Sequence, residues 1–304
     1  MFIAASDAWA QKRSVAITLD DLPGVVHAKG DDLAVIQEMN RKILQVLIKH
    51  HVPATGFVIG TNVLDRGHVK ERVAILQDWL SAGMELGGHT YSHLDLNTVT
   101  AGQFERDTIR GEGALRPVLE KNSRSLQFLR YPYNHTGDSE AKKKEVQRFL
   151  ADHKYVIATS TVENSDWTFD VVYFDNEHNH DSAGMQKIRD AYLGTTEEAF
   201  AYYEKLSAQV FGREFPQVML MHVNRLNADA LDDVLSLIER RGYRFVSLAE
   251  AQSDPIYRTT DAHVGPDGRM WTHRWAPSKG RKADAEHRPI PPRWVLNEYV
   301  RLTR

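Results

Sequence analysis

Val15-Ala16-Ile17-Thr18-Leu19-Asp20-Asp21 is a short apolar run that ends on two adjacent carboxylates. The run reads as a buried strand. Two acids at its end are costly neighbours, because like charges in a low-dielectric site push one of the two pKa values up. A divalent cation removes that cost by taking one carboxylate as a ligand, which leaves the other free to move protons. About seventy residues downstream, His89-Thr90-Tyr91-Ser92-His93 supplies a His-x3-His pair. Two imidazoles at that spacing lie on the same side of a helical turn or tight loop. Taken alone, such a pair in a chain of 14 histidines is a weak signal. With the carboxylate pair it completes a three-ligand site with an open water position.

Outward from this strand, β-branched or apolar runs alternate with helical patterns. Residues 33–50 carry Ile36, Met39, Ile43, Val46 and Leu47 on one face of a helix. Further strands are expected at 54–59, 84–87, 126–129, 155–159, 218–221 and 244–246, with helices at 69–82, 103–121, 142–153 and 230–241. Alternation of this kind implies a parallel sheet. The expected architecture is an α/β distorted (β/α) barrel of about seven parallel strands over residues 15–251. Two segments break the rhythm. About fifty residues between Trp167 and Gln217 exceed what a crossover needs and read as a helical insertion at about 168–217. Residues 252–304 form a C-terminal extension packed on the barrel, with nine Lys/Arg against three Asp/Glu between Arg269 and Arg304.

Each polar cluster follows a strand: Asp20-Asp21, His89/His93, Arg130-Tyr131-Pro132-Tyr133, Asp166-Trp167 and His222. In a βα barrel the C-terminal strand ends converge on one face, where active sites are built. Five clusters obeying one positional rule carry more weight than any single motif.

The order of these clusters resembles the polysaccharide deacetylases of carbohydrate esterase family 4, which share the NodB homology domain. The family's Thr-Phe-Asp-Asp is matched by Thr18-Leu19-Asp20-Asp21, and its His-(Ser/Thr)-x-x-His by His89 to His93. Its Arg-x-Pro-(Tyr/Phe) is matched by Arg130-Tyr131-Pro132-Tyr133, its Asp-x-x-Asp-Trp by Glu163-Asn164-Ser165-Asp166-Trp167, and its Leu-x-His by Leu220-Met221-His222. The resemblance implies that Asp21, His89 and His93 bind the metal. It implies Asp20 as the base that takes a proton from the attacking water and His222 as the acid that protonates the leaving nitrogen. Arg130 would keep Asp20 ionised, Asp166 would orient Arg130, and the Tyr133 backbone N–H would face the oxyanion. Trp167 and Leu220 would wall a pocket for the acetyl methyl group. Departures occur at Leu19, Leu22, Asn134 and Glu163, where the family favours an aromatic, Gly, Gly and Asp; none removes a ligand, base or acid.

Composition narrows the remaining choices. With 304 residues, 42% hydrophobic and 26% charged, the chain suits a soluble globular protein. A net charge of −3 gives no reason to invoke nucleic acid, and no apolar run approaches the ~18 residues of a membrane span. Zero cysteines exclude disulfides and thiolate ligands. Any metal is therefore held by His, Asp or Glu, which suits Zn2+ and also accepts Co2+, Ni2+ or Mn2+. Ala8-Trp9-Ala10 before Gln11 has the small-residue pattern of a signal-peptidase site, so a periplasmic or secreted location is expected. The expected function is removal of N- or O-linked acetyl groups from a carbohydrate. The alternatives are the same chemistry on a small non-carbohydrate amide or ester, and a sugar-binding barrel without catalysis.

Overall fold

The computed structural model describes residues 13–27 and 32–304, so the Ala-x-Ala pattern lies outside the described residues. Its sheet contains β1 (Ser14–Leu22), β2 (Thr55–Val58), β3 (Glu85–Gly88), β4 (Phe128–Leu129), β5 (Val156–Ile157), β6 (Val162–Glu163), β7 (Gln217–His222) and β8 (Arg244–Phe245). The order is β5-β4-β3-β2-β1-β7-β6, with β8 paired to the start of β1. Every pairing is parallel. This is the expected distorted barrel with one strand more: β6 has a single apolar residue, Val162, among Ser, Thr and Glu, so no apolar run announces it.

The helices are α1 (Leu33–Lys49), α2 (Gly60–Leu64), α3 (Val69–Ser81), α4 (Ala101–Lys121), α5 (Glu140–Asp152), α6 (Asp166–His178), α7 (Ser182–Phe211), α8 (Arg225–Arg240), α9 (Leu248–Gln252), α10 (Trp271–Trp275) and α11 (Arg293–Thr303). Three start earlier than their apolar pattern suggests because caps fix their ends. Thr100 and Gln103 form a reciprocal capping box before α4, the Ser139 side chain accepts the Lys142 N–H before α5, and the Asn224 side chain accepts the Asn227 N–H before α8. The insertion is mainly the α6–α7 pair, and α11 of the extension packs on α6.

Strand β1 sits at the centre and is buried on both faces, as a parallel strand between helices and barrel interior must be. Val15, Ile17 and Leu19 join the helix-side core with Ile36, Trp79 and Leu231. Ala16 faces a second cluster with Phe57, Phe128, Ala158 and Val218 inside the barrel. Thr18 and Asp20 continue that inward row, so the site stands on top of the packed interior. Leu22, where the family favours Gly, is fully buried, and its side chain lies against Gly56. Its departure from the family pattern therefore falls in the core rather than in the cleft.

Interior space is tight where strands meet. A Cβ on Gly87 of β3 would lie 2.5 Å from the Phe57 ring and 3.0 Å from the Phe128 carbonyl. Gly87→Ala is expected to lower unfolding stability by about 1–3 kcal/mol through overpacking, measured by urea denaturation.

Candidate active site

In a regular strand, adjacent residues point to opposite faces, so Asp20 and Asp21 should not share a cleft. The structure resolves this with a bulge. Leu19 pairs with Gly56 while Leu22 pairs with Val58, three steps on β1 against two on β2. Asp21 takes a left-handed backbone, φ 69°. The extra residue breaks the alternation and re-aims the second carboxylate. Asp20 stays in register opposite His222 on β7.

Asp21 meets both histidines. Its Oδ1 lies 3.5 Å from His89 Nε2 and 3.6 Å from His93 Nε2, and the ligand-capable atoms of all three lie within 4.8 Å of one another. His89 is buried, and its Nδ1–H donates to the Arg130 carbonyl at 2.8 Å. That bond selects the tautomer whose Nε2 lone pair points at Asp21, the arrangement expected behind a metal-ligating histidine. Burial, reinforced by the neighbouring His93, holds His89 well below the ordinary histidine pKa. Burial also lowers His93, with Asp21 pulling the other way. Both imidazoles are thus disposed to be neutral, as ligands must be.

The loop carrying the pair is fastened by α4. Asp107 accepts N–H bonds from Tyr91 and Ser92 at 3.1 and 3.0 Å and the Ser92 hydroxyl at 2.7 Å. Gly111 allows the helix to approach: a Cβ there would lie 2.8 Å from the Thr90 carbonyl carbon. Nothing in the spacing of the His pair pointed to these two supports.

Arg130 is fully buried beneath the pair. Its Nη2–H donates to Thr18 Oγ1 at 3.0 Å, and Thr18 in turn donates to the Met219 carbonyl at 2.7 Å. The guanidinium stands 3.6 Å from Asp20 Oδ2 and 4.8 Å from the Phe57 ring centroid. Burial pushes Asp20 up to about 6, although Arg130 and His222 both pull it down. Oδ1 of Asp20, Oδ1 of Asp21, and Nε and Nη1 of Arg130 are buried without a hydrogen-bond partner. Buried polar atoms are rarely left so. Two carboxylate oxygens and two imidazole nitrogens converging with oxygen lone pairs unpaired fit a divalent cation on Asp21, His89 and His93.

One expected contact is corrected. Asp166 does not orient Arg130; it holds His222. Its Oδ1 accepts from His222 Nδ1 at 2.8 Å, and its Oδ2 from the His222 backbone N–H at 2.8 Å, Asn227 Nδ2 at 2.6 Å and Asn224 Nδ2 at 3.1 Å. Asp166 begins α6, so the helix N-terminus also favours its charge, and its strand-end neighbour is β7 through β6 rather than β4. Burial lowers the His222 pKa, but the charge and hydrogen bond of Asp166, with Asp21 and Asp20 behind, raise it to about 10. The imidazolium is therefore the stable form at neutral pH.

These residues open on a cavity of about 520 Å³ lined by Asp20, Asp21, His89, His93, Tyr133, Glu163, Trp167, Leu220 and His222. The C-terminal extension completes its wall with Asp267, Gly268, Met270, Arg288 and Tyr299. Trp167, 46% exposed, meets Tyr299 edge-to-face at 5.4 Å. Sequence reasoning gave the extension no place here, since its Pro- and Arg-rich composition has no periodicity that would aim a side chain.

Fold and site together define a parallel α/β barrel with an Asp-His-His cluster, a second Asp and an Asp-paired His at its strand ends. A sequence model described as polysaccharide deacetylase matches residues 8–151. The chain is 26% identical over 243 residues to a peptidoglycan-N-acetylglucosamine deacetylase of Bacillus cereus, covering 78% of this chain and 67% of the relative. It is 30% identical over 125 residues to a chitooligosaccharide deacetylase of Sinorhizobium fredii, covering 41% and 49%. A peptidoglycan-N-acetylmuramic acid deacetylase of Bacillus subtilis is 27% identical over 208 residues, 68% of this chain and 64% of that one. The chain thus spans between half and two thirds of the length of these relatives. Among solved structures, a family 4 pseudoenzyme from Bacillus anthracis superposes with TM-score 0.52 at 19% identity, over 79% of this chain and 66% of that one. A family 4 carbohydrate esterase from Streptomyces lividans, in complex with acetate, gives 0.50 at 17%, over 79% and 95%. The chain is thus similar in sequence to polysaccharide deacetylases over residues 8–151 and shares the fold of the family 4 carbohydrate esterases.

Asp166→Asn removes the charge that raises His222. The His222 pKa is then expected to fall from about 10, and its protonated form to be lost at lower pH. An NMR titration of the imidazole reads this directly; an unchanged midpoint would contradict it. The sign carries to stability: because the folded pKa lies above the ordinary value, this pair stabilises the fold most below about pH 6.5, and the contribution fades as pH rises towards 10.

Proposed function

We propose that this chain is a metal-dependent deacetylase that removes N- or O-linked acetyl groups from a carbohydrate. The observation that carries the reading is the placement of Asp20 and His222 side by side in register on β1 and β7, flanking the Asp21-His89-His93 cluster. One residue is set to take a proton and the other to give one, beside a site suited to a cation. The names of the relatives, peptidoglycan and chitooligosaccharide deacetylases, support an acetylated sugar as substrate. They also suit action in the periplasm or outside the cell. A related structure is a pseudoenzyme, but here the base, acid and all three ligand residues are present.

Asp21, His89 and His93 would hold the ion, Zn2+ in the first instance, with Co2+, Ni2+ or Mn2+ accepted by the same donors. When bound, such an ion acidifies water and polarises a carbonyl oxygen. A nearby cation also favours the ionised form of Asp20, working with Arg130 against the burial that raises it. Asp20 takes a proton from the attacking water as its oxygen bonds to the acetyl carbon. The Tyr133 backbone N–H donates to the oxygen that gains charge. His222, kept protonated by Asp166, delivers its proton to the leaving nitrogen or oxygen as the bond to the acetyl carbon breaks. Acetate and the deacetylated sugar result. Leu220 and Trp167 wall the methyl end of the cavity.

Asp20→Asn is expected to cut turnover by about 100- to 10,000-fold while a full equivalent of zinc stays bound, as measured by acetate release and metal analysis. Chelation should abolish acetate release and added Zn2+ or Co2+ restore it. Assays on acetylated chito-oligosaccharides, acetylxylan and small acetyl esters separate the substrate classes. Turnover confined to the small esters would favour the non-carbohydrate reading, and none with any metal-loaded sample would favour a binding barrel.

A further inference from the structure

The loop after β4 carries two consecutive left-handed residues, neither of them glycine: Tyr133 (φ 57°) and Asn134 (φ 55°). Such conformations persist only where the surroundings over-determine them. Here the determination comes from the C-terminal extension. Arg274, fully buried in α10, lies 140 residues further along the chain and donates from Nη1 to the Asn134 carbonyl at 2.8 Å. Its other nitrogen reaches Thr136 Oγ1. The guanidinium is itself fixed by Asp261, with Nε to Oδ1 at 3.0 Å, and stands 4.3 Å from the Trp271 ring centroid. From a second direction, Gly268 lies against the preceding peptide. A Cβ at Gly268 would stand 1.7 Å from the Tyr133 carbonyl oxygen and 2.9 Å from its carbon, so no other residue fits without moving that peptide.

We infer that Arg274 and Gly268 are positioning residues for the reaction: the extension clamps the Tyr133–Asn134 backbone and so aims the Tyr133 N–H at the acetyl oxygen. The inference rests on the deacetylase reading above. Arg274 satisfies the Asn134 carbonyl inside the protein, and Gly268, having no side chain, lets the extension lie directly against the Tyr133 carbonyl. A backbone donor needs such support, because a misaimed oxyanion bond loses most of its worth. The extension is then a working part of the catalytic pocket rather than a cover.

The test compares Gly268→Ala, Arg274→Met, Arg274→Lys and Tyr257→Phe in the full, zinc-loaded chain. Tyr257 tethers the extension elsewhere, through its hydroxyl to the Pro216 carbonyl at 2.7 Å, and reports what loosening alone does. Gly268→Ala is expected to lower kcat by about 10- to 100-fold with KM within about threefold and bound zinc unchanged. Its Tyr133 and Asn134 amide resonances should shift while those of the 89–93 loop stay. Arg274→Lys, which keeps one donor, should retain more kcat than Arg274→Met, and Tyr257→Phe should lose thermal stability but not kcat. A Gly268→Ala protein with parental kcat, or a Tyr257→Phe protein with an equal loss of kcat, overturns the inference. If the Arg274 variants do not fold, Gly268→Ala decides alone. A parent without turnover on any acetylated substrate sinks the deacetylase reading itself, a result distinct from an active parent with an indifferent Gly268→Ala.

Discussion

Two carboxylates forced onto one side of a single strand set the terms for the rest of the site. The bulge at Leu19–Leu22 and the left-handed Asp21 bring Asp20 and Asp21 to the same cleft, and the barrel interior below them excludes water. Among the described residues one guanidinium, Arg130, is buried beside them, 3.6 Å from Asp20. Its own hydrogen bond goes to Thr18, so it tempers the charge without neutralising the pair. The neutral histidines opposite offer lone pairs rather than compensation. A buried charge left unpaired is costly, and a cation on Asp21 relieves that cost at the point where the three donors meet.

In the proposed reaction, the remaining contacts would divide the two protons between the two sides of β1. On the β2–β4 side, Arg130, joined by His222 from across β1, favours the carboxylate form of Asp20 against its burial. On the β7 side, Asp166 keeps His222 charged and accepts four hydrogen bonds to do so. An acid and a base of opposite protonation stand on adjacent strands because their surroundings push their pKa values apart. Strain gathers at the same place. Asp21, Thr90, His93, Tyr133, Asn134 and Ser165 all take left-handed backbone next to the site. Asn134 shows why the family favours Gly there: the conformation suits glycine, and Asn tolerates it better than most residues.

Supports for these strained loops come from outside the strands. Asp107 and Gly111 of α4 fix the 89–93 loop, and the extension packs on the loop after β4. The extension also narrows the cleft, with Tyr299 against Trp167 and Arg288 on the rim 3.8 Å from Glu163. What remains is a partly open cavity with a wall from the extension on one side.

Much of this was legible in residue order. Strand β1, the helices with one apolar face and the strand-end position of each polar cluster follow from local periodicity, which any stretch of chain displays by itself. The Asp-His-His cluster was readable because one strand end and one four-residue spacing define it. Other features had no local signal. Strand β6 has one apolar residue, Val162, among polar neighbours; α8 begins at a cap, ahead of the apolar pattern from Ala230. The partner of Asp166 was misjudged because linear order does not say which strand lies beside which. Sequence determined which side chains stand at the mouth of the barrel, since alternation and helix period are properties of consecutive residues. Only the tertiary structure decided which of them touch, that His222 rather than Arg130 receives Asp166, and that residues 268 and 274 grip Tyr133 and Asn134. Those contacts depend on strand order and on how closely backbones approach, and neither is written in neighbouring residues.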